Sequence, residues 1–256
     1  MLNKEIPKEK LEKLRLLVLD SDGVTIPRGT KISEKENGNS YEVSFKTEVI
    51  SDELAKLIKK LKNKIRICIC SGRSLIYLQS MYSKIGQERI ILMAENGIMV
   101  MIDGKIYQLF MFEEEYFRKI AKIREEIKHL PISGFEPKQF ILTIHSPTEL
   151  KEVYDIVKKN DPIGELKIMW NGEAFDIMPK YISKGEGLNF LCQFLQIDRE
   201  EIIAIGDRIN DKELLEVAGI GVSADQSNLP AKYFTVGKIL PGESLVEYLL
   251  SALKKH

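Results

Sequence analysis

The sequence predicts an α/β protein: a Rossmann-like parallel sheet with helices on both faces, interrupted by an inserted α+β segment. Three observations predict it. Short apolar runs alternate with amphipathic helical stretches. Several of the runs end in polar residues, Asp20, Ser71 and Asp207, at corresponding places. Between residues 111 and 179 the rhythm changes to helix-strand-strand, then repeats.

Leu14 to Leu19 is an apolar run leading into Asp20, and reads as a buried strand. In the stretch Pro27 to Lys46, Gly38-Asn39-Ser40 separates Lys31-Ile-Ser from Tyr41-Glu-Val-Ser-Phe, so a β-hairpin flap is expected. Ser51 can cap a helix in which Leu54, Leu57, Ile58 and Leu61 recur at helical spacing. Ile65 to Cys70 is the next strand, ending at Ser71-Gly72-Arg73. A helix is expected from Leu75 to Ile85, stopped by Gly86. Ile90 to Ala94 is a third strand, and Ile98 to Tyr107 a hairpin turning at Asp103-Gly104.

Glu113 to Leu130 reads as a charged amphipathic helix. Strands are expected near Ile132 to Phe135 and Phe140 to His145, and a helix from Pro147 to Asn160. Two more strands, Leu166 to Trp170 and Glu173 to Ile177, flank an Asn171-Gly172 turn. Lys184 opens a helix with Leu188, Leu191, Cys192 and Leu195 on one face. Ile202 to Ile205 leads to Gly206-Asp207, a short helix spans Lys212 to Ala218, and Ile220 to Val222 is a last strand. No sequence repeat underlies the repeated helix-strand-strand order, and no segment is of low complexity.

Composition bounds the function. Lys plus Arg and Asp plus Glu both total 38, so no global field steers the chain toward nucleic acid or an anionic membrane. The apolar runs are too short to span a bilayer, and MLNKEIPKEKLEKL has no signal-peptide core. Three cysteines in 256 residues make no disulfide framework, so a reducing, cytoplasmic setting is expected. Cys68 and Cys70 lie in an apolar run as core filler, with strand alternation expected to turn them apart. His129, His145 and His256 match no metal spacing and are expected on the surface; His145 is a candidate for reaching substrate.

The strongest chemical signal is Leu16-Leu-Val-Leu-Asp20-Ser21-Asp22-Gly23. Two carboxylates emerge at a strand end, and Gly23 lets them splay while loop amides approach an anion. Ser71 puts a hydroxyl at a second strand end. Lys184 begins a helix, an unfavourable place for a cation unless an anion sits there. Gly206-Asp207-Arg-Ile-Asn210-Asp211 puts two more carboxylates at another strand end. Each signal has a plain structural reading; their joint order is what points to phosphate chemistry.

These motifs, in this order, resemble the four of the haloacid dehalogenase superfamily. Glu95-Asn-Gly, the insert, Phe175-Asp-Ile-Met-Pro and Ser183-Lys-Gly resemble the subgroup with a type-2, subclass B cap. The resemblance implies a cap over 111–179, with 1–110 and 180–256 forming the catalytic core. It implies an Mg²⁺-dependent phosphatase for a small phosphate ester, of the sugar-phosphate or phosphoglycolate class. By the same resemblance Asp20 is the nucleophile and Asp22 the general acid and base. Ser71, Gly72, Lys184 and Asn210 hold phosphate. Asp20, Asp207 and the Asp22 carbonyl hold the metal, and Asp211 orients Lys184 or a metal-bound water. Val24 stands where the family commonly has Thr, and the flap is longer than the subgroup's usual one. Retention of Asp22 argues for phosphatase or mutase chemistry over dehalogenation. A phosphosugar mutase and a silent binding protein are the alternatives, either as monomer or homodimer. Trp170, Asn171, Glu173 and Lys138 are candidate cap contacts, although each also fits a turn or surface position.

Overall fold

The structure is a computed structural model that describes residues 1–237 and 239–253; His256 lies outside them. The first elements are α1 (Lys8–Leu11), β1 (Leu16–Asp20), β2 (Lys31–Asn37), β3 (Ser40–Lys46), α2 (Asp52–Leu61), β4 (Arg66–Cys70) and α3 (Leu75–Met81). Next come β5 (Ile90–Ala94), β6 (Met99–Ile102), β7 (Lys105–Gln108), α4 (Glu114–Ile127), β8 (Gly134–Glu136), β9 (Leu142–His145) and α5 (Lys151–Asn160). The chain continues through β10 (Leu166–Trp170), β11 (Ala174–Pro179), α6 (Lys184–Leu195), β12 (Ile202–Gly206), α7 (Lys212–Val217), β13 (Ile220–Ser223), β14 (Tyr233–Phe234) and α8 (Pro241–Ala252).

The elements form two compact units. The first comprises Met1–Arg28, Glu48–Leu109 and the chain from Ser183 onward. Its sheet has the order β14-β13-β12-β1-β4-β5-β6-β7. Pairing is parallel from β14 to β5, and β6 and β7 add an antiparallel edge. The strands are apolar throughout because both faces are covered. Leu17, Leu19, Ile67 and Ile69 face a core shared with α2, α3 and α8. Leu16, Val18, Cys68 and Cys70 face the opposite layer with α6 and α7. The two cysteines therefore share a face, contrary to expectation, because side chains two apart on a strand point the same way. Both are sealed, and burial pushes both thiols above their ordinary range.

Local signals account for most boundaries. Ser51 caps α2, its Oγ accepting from the Leu54 N–H at 3.1 Å. The helix expected from Leu75 to Ile85 is instead α3 and a separate turn, Ser83–Ile85. The break falls at Tyr82, whose φ of −111° leaves the helical region and whose ring is buried. The helix expected from Pro147 starts at Lys151, since Leu150 is still extended.

The second unit comprises Gly29–Thr47 and Phe110–Ile182. It contains an antiparallel sheet of order β10-β11-β9-β8 and the β2–β3 hairpin. Phe135, Leu142, Ile144, Phe175 and Ile177 turn to one face, where Ile123 and Ile127 of α4 and Val153 and Val157 of α5 cover them. The order α4-β8-β9-α5-β10-β11 is the expected helix-strand-strand repeat. Segment 29–47, counted with residues 1–110 from sequence, belongs to this second unit. The reason is packing: Gly134 of β8 leaves room for Ile32 and Glu34 of β2, and Arg124 of α4 pairs with Glu34 at 3.5 Å.

One buried ion pair ties this unit together. Lys119 of α4 meets Asp161, at the end of α5, at 2.8 Å, and both side chains are nearly enclosed. Burial alone would raise the Asp161 pKa, but the Lys119 ammonium and the Leu166 N–H outweigh it and hold the carboxyl below its ordinary value. Its stabilisation is fully present above about pH 4 and is lost as pH falls through the lowered folded value. Lys119→Met should destabilise the second unit by about 3 kcal/mol, because it leaves a buried carboxylate without its cation. Denaturant midpoints at neutral and acid pH check this; the gap between wild type and variant should shrink in acid.

Candidate active site

β1, β4 and β12 are neighbours in the middle of the first unit's sheet, and their carboxyl ends bring the predicted residues together. Strand order reverses at β1, with β4 and β5 on one side and β12 and β13 on the other, the place where such sheets bind ligands. Asp20 ends β1 and Lys184 begins α6, whose cap is Ser183, with Oγ accepting from the Glu186 N–H at 3.2 Å. Lys184 is 1% exposed, and its Nζ donates to Asp20 Oδ1 and to Asp211 Oδ1, both at 2.5 Å. The other oxygen of Asp211 accepts from the backbone N–H groups of Asp207 at 3.1 Å and Arg208 at 3.3 Å. Gly206 permits this turn, since a Cβ there would lie 2.3 Å from the Asp211 Cβ.

Oxygens of Asp20, Asp207 and Asp211 all lie within 4.8 Å of one another. The crowding shows in their acidity. Burial, then the Asp211 charge, push the Asp20 carboxyl well above its ordinary value against the pull of Lys184. Asp207 is also raised, by burial, although Arg28 opposes it. Burial would lower Lys184, but Asp20 and Asp211 outweigh it and hold the ammonium charged. The cluster offers hard carboxylate oxygens and no thiol or imidazole, a donor set that fits Mg²⁺.

Asp22 points elsewhere. Gly23, at φ +83°, turns the chain directly after Asp22, and a Cβ there would lie 2.5 Å from Asp207 Oδ2. Arg73 grips Asp22 with both arms, Nε to Oδ2 at 2.9 Å and Nη2 to Oδ1 at 2.5 Å. Ser71 is 2% exposed, and its Oγ accepts from the Arg73 N–H at 3.2 Å. Gly72 is half-buried beside it. Asn210 is half-buried in the turn that carries Asp211, and its side chain makes no hydrogen bond among the described residues.

The residues singled out in the insert all belong to the second unit. Asn171 shapes its turn, with Oδ1 accepting from the Glu173 N–H at 3.0 Å and the Ala174 N–H at 2.9 Å. Trp170 packs on Phe175, ring centroids 4.5 Å apart. Lys138 and His145 are enclosed beside Glu136.

A family profile described as haloacid dehalogenase-like hydrolase matches residues 45–167 and 134–234. The chain belongs to the haloacid dehalogenase-like hydrolases. Over 166 residues it is 30% identical to a phosphoglycolate phosphatase of Methanopyrus kandleri, covering 63% of this chain and 70% of the relative. A phosphoglycolate phosphatase of Sulfolobus acidocaldarius is 28% identical over 243 residues, 92% of this chain and 95% of the relative. A crystal structure of a haloacid dehalogenase-like hydrolase from Bacteroides thetaiotaomicron superposes with a TM-score of 0.66 at 17% identity. That match covers 93% of this chain and 99% of the other, and shows the fold.

In this hydrolase, sequence reasoning missed the residues that hold the site from the side. Arg28 donates to Asp207 Oδ2, and Arg73 fixes Asp22. Tyr82 is buried, with its hydroxyl 2.8 Å from Ser21 Oγ and 2.6 Å from Thr25 Oγ1; Thr25 in turn donates to the Asp20 carbonyl at 2.9 Å. Burial pushes the Tyr82 phenol above its ordinary range, so it stays protonated as a bridge. The proximity of Arg73 to Ser71 is visible in the sequence; no local signal marks Arg28 or Tyr82. Tyr82→Phe should cost about 1–2 kcal/mol, since it leaves two buried hydroxyls short of a partner. Urea unfolding measures it, and a loss below a few tenths of a kcal/mol would contradict the bridging role.

Proposed function

We propose that this hydrolase is an Mg²⁺-dependent phosphatase acting on a small phosphorylated metabolite through a phosphorylated Asp20. The observation that carries the reading is the enclosed Lys184 ammonium, held between Asp20 and Asp211 with Asp207 alongside. A fixed cation beside a strand-end carboxylate suits a reaction that brings two anions together. The names of its relatives support the class and put 2-phosphoglycolate among the first esters to assay, together with sugar phosphates.

Asp20 attacks phosphorus as its bond to the leaving oxygen breaks, and Asp22 gives that oxygen a proton. Asp22 is then a carboxylate, held by Arg73 through two hydrogen bonds. It takes a proton from the water that attacks the phosphoryl group, which leaves as inorganic phosphate and frees Asp20. Ser71 and Lys184 hold the transferring group, with the Gly72 backbone and Asn210 beside them. Asp211 aims Lys184 through the 2.5 Å contact. The carboxylates of Asp20 and Asp207 and the Asp22 carbonyl would hold Mg²⁺, which would supply positive charge against the repulsion between carboxylate and phosphate. The flap and residues 111–179 form the cap that selects the leaving group.

Asp20→Asn should keep the fold and lower phosphate release from p-nitrophenyl phosphate by on the order of 10³-fold or more. Chelation should abolish wild-type turnover and added Mg²⁺ restore it. Full activity in Asp20→Asn would sink the proposal.

A further inference from the structure

A cavity of about 480 Å³ lies in the first unit at the amino ends of the parallel strands, the edge opposite Asp20. Its volume is in the range of small-molecule sites. Arg15 directly precedes β1 and Asp20 ends it, so roughly 17 Å of extended chain separates the two places. Arg15, Lys64, Arg66 and Arg89 line the cavity, and among the described residues no acid does. The sheet register sets the three arginines on neighbouring stretches of chain. The Arg66 N–H donates to the Arg15 carbonyl at 2.9 Å, and the Ile67 N–H to the Arg89 carbonyl at 3.2 Å. Arg66 shares a strand face with Cys68 and Cys70, the face that α6 covers. Phe194 and Leu195, at the end of α6, and Ile197 beyond them form the apolar wall.

The cations are only partly balanced. Arg15 is taken up locally, with Nη1 3.3 Å from the Gln196 carbonyl and 3.6 Å from Glu201 Oε2. Arg66 Nη1 is 3.3 Å from Asp103 Oδ2, a surface pair of the kind that holds weakly. Arg89 Nε donates to the Lys62 carbonyl at 2.7 Å, and Lys64 Nζ to the Leu253 carbonyl at 2.7 Å. Neither Arg89 nor Lys64 meets a carboxylate among the described residues. Four cations therefore share two carboxylates, and two positive charges are left over at one cavity. Their mutual repulsion is what a bound anion would relieve. Arg89 also sits at φ +58°, a left-handed backbone that Gly or Asn would adopt more easily. Three of the four cations carry the planar guanidinium fork that matches phosphate oxygens. Phe194 is 43% exposed, and its ring is stacked with Phe190 at 5.7 Å between centroids. A bare inorganic anion would use the cations and leave this ring in water. A flat ring joined to phosphates uses both walls.

We propose that this cavity binds a small molecule in which two or more phosphates are joined to a flat ring, a nucleoside diphosphate in chemical class. Its phosphate oxygens accept from Arg66, Arg89 and Lys64, and its ring packs on Phe194. The site lies away from Asp20 and does not depend on the phosphatase reading. Calorimetric titration of the full chain in EDTA, with ADP and pyrophosphate as probes, tests it. ADP should bind saturably and about tenfold more tightly than pyrophosphate, the margin that stacking on one aromatic ring supplies. Arg66→Gln and Lys64→Gln should each weaken ADP binding about tenfold through loss of a charged donor. Phe194→Ala should bring ADP down to the affinity of pyrophosphate. Lys64 is exposed, so Lys64→Gln keeps the fold and decides the matter if Arg66→Gln does not fold. An unchanged ADP affinity in Lys64→Gln would overturn the proposal. So would wild-type protein that binds pyrophosphate as tightly as ADP, or that binds no ADP at millimolar concentration.

Discussion

The enclosed Lys184 is the constraint on which the first unit's candidate site depends. An ammonium with 1% exposure survives only because two carboxylates meet it at 2.5 Å. Each of those carboxylates is then the property of a different element. Asp20 must stand at the end of β1, and Asp211 must fold back beneath Gly206. Lys184 must open α6, against the sign of the helix terminus. None of the three placements is favourable alone. Together they lock two strand ends and a helix start into one charged knot, with Asp207 drawn in beside it.

A second layer keeps the knot from relaxing. Tyr82, Ser21 and Thr25 share hydroxyl contacts below the Asp20 loop, and Thr25 returns a hydrogen bond to the Asp20 carbonyl. The break between α3 and the turn after it is thus part of the site's scaffold. Arg73 separates Asp22 from the crowded carboxylates and gives the two aspartates of one motif different neighbours: an ammonium for one, a guanidinium for the other. That division lets neighbouring carboxylates of the same chemistry take different tasks.

How much of this was legible in the sequence depended on distance along the chain. Ser51 as a cap, Asp103-Gly104 and Asn171-Gly172 as turns, and the apolar runs ending in Asp20 and Asp207 are all signals contained in a few residues. The joint order of Asp20, Ser71, Lys184 and Asp207 extended that legibility to the core of the site. Arg28 and Tyr82 were invisible because their partners, Asp207 and Ser21, are far away in sequence, and nothing local distinguishes a surface arginine from a buried clamp. β14 is too short to carry a periodicity, and Pro241 is the local signal that opens α8. The shared face of Cys68 and Cys70 was open to reading: a period of two places them together.

The hairpin at 29–47 has a consequence for how this protein can be divided. The second unit is assembled from two separate stretches of chain, so the backbone passes between units at residues 28–29, 47–48, 109–110 and 182–183. Excising residues 110–182 would not yield a bare first unit. It would strip β2 of its packing against Gly134 of β8 and expose Ile32, which is 7% accessible in the intact chain. A minimal core must therefore lose both stretches at once.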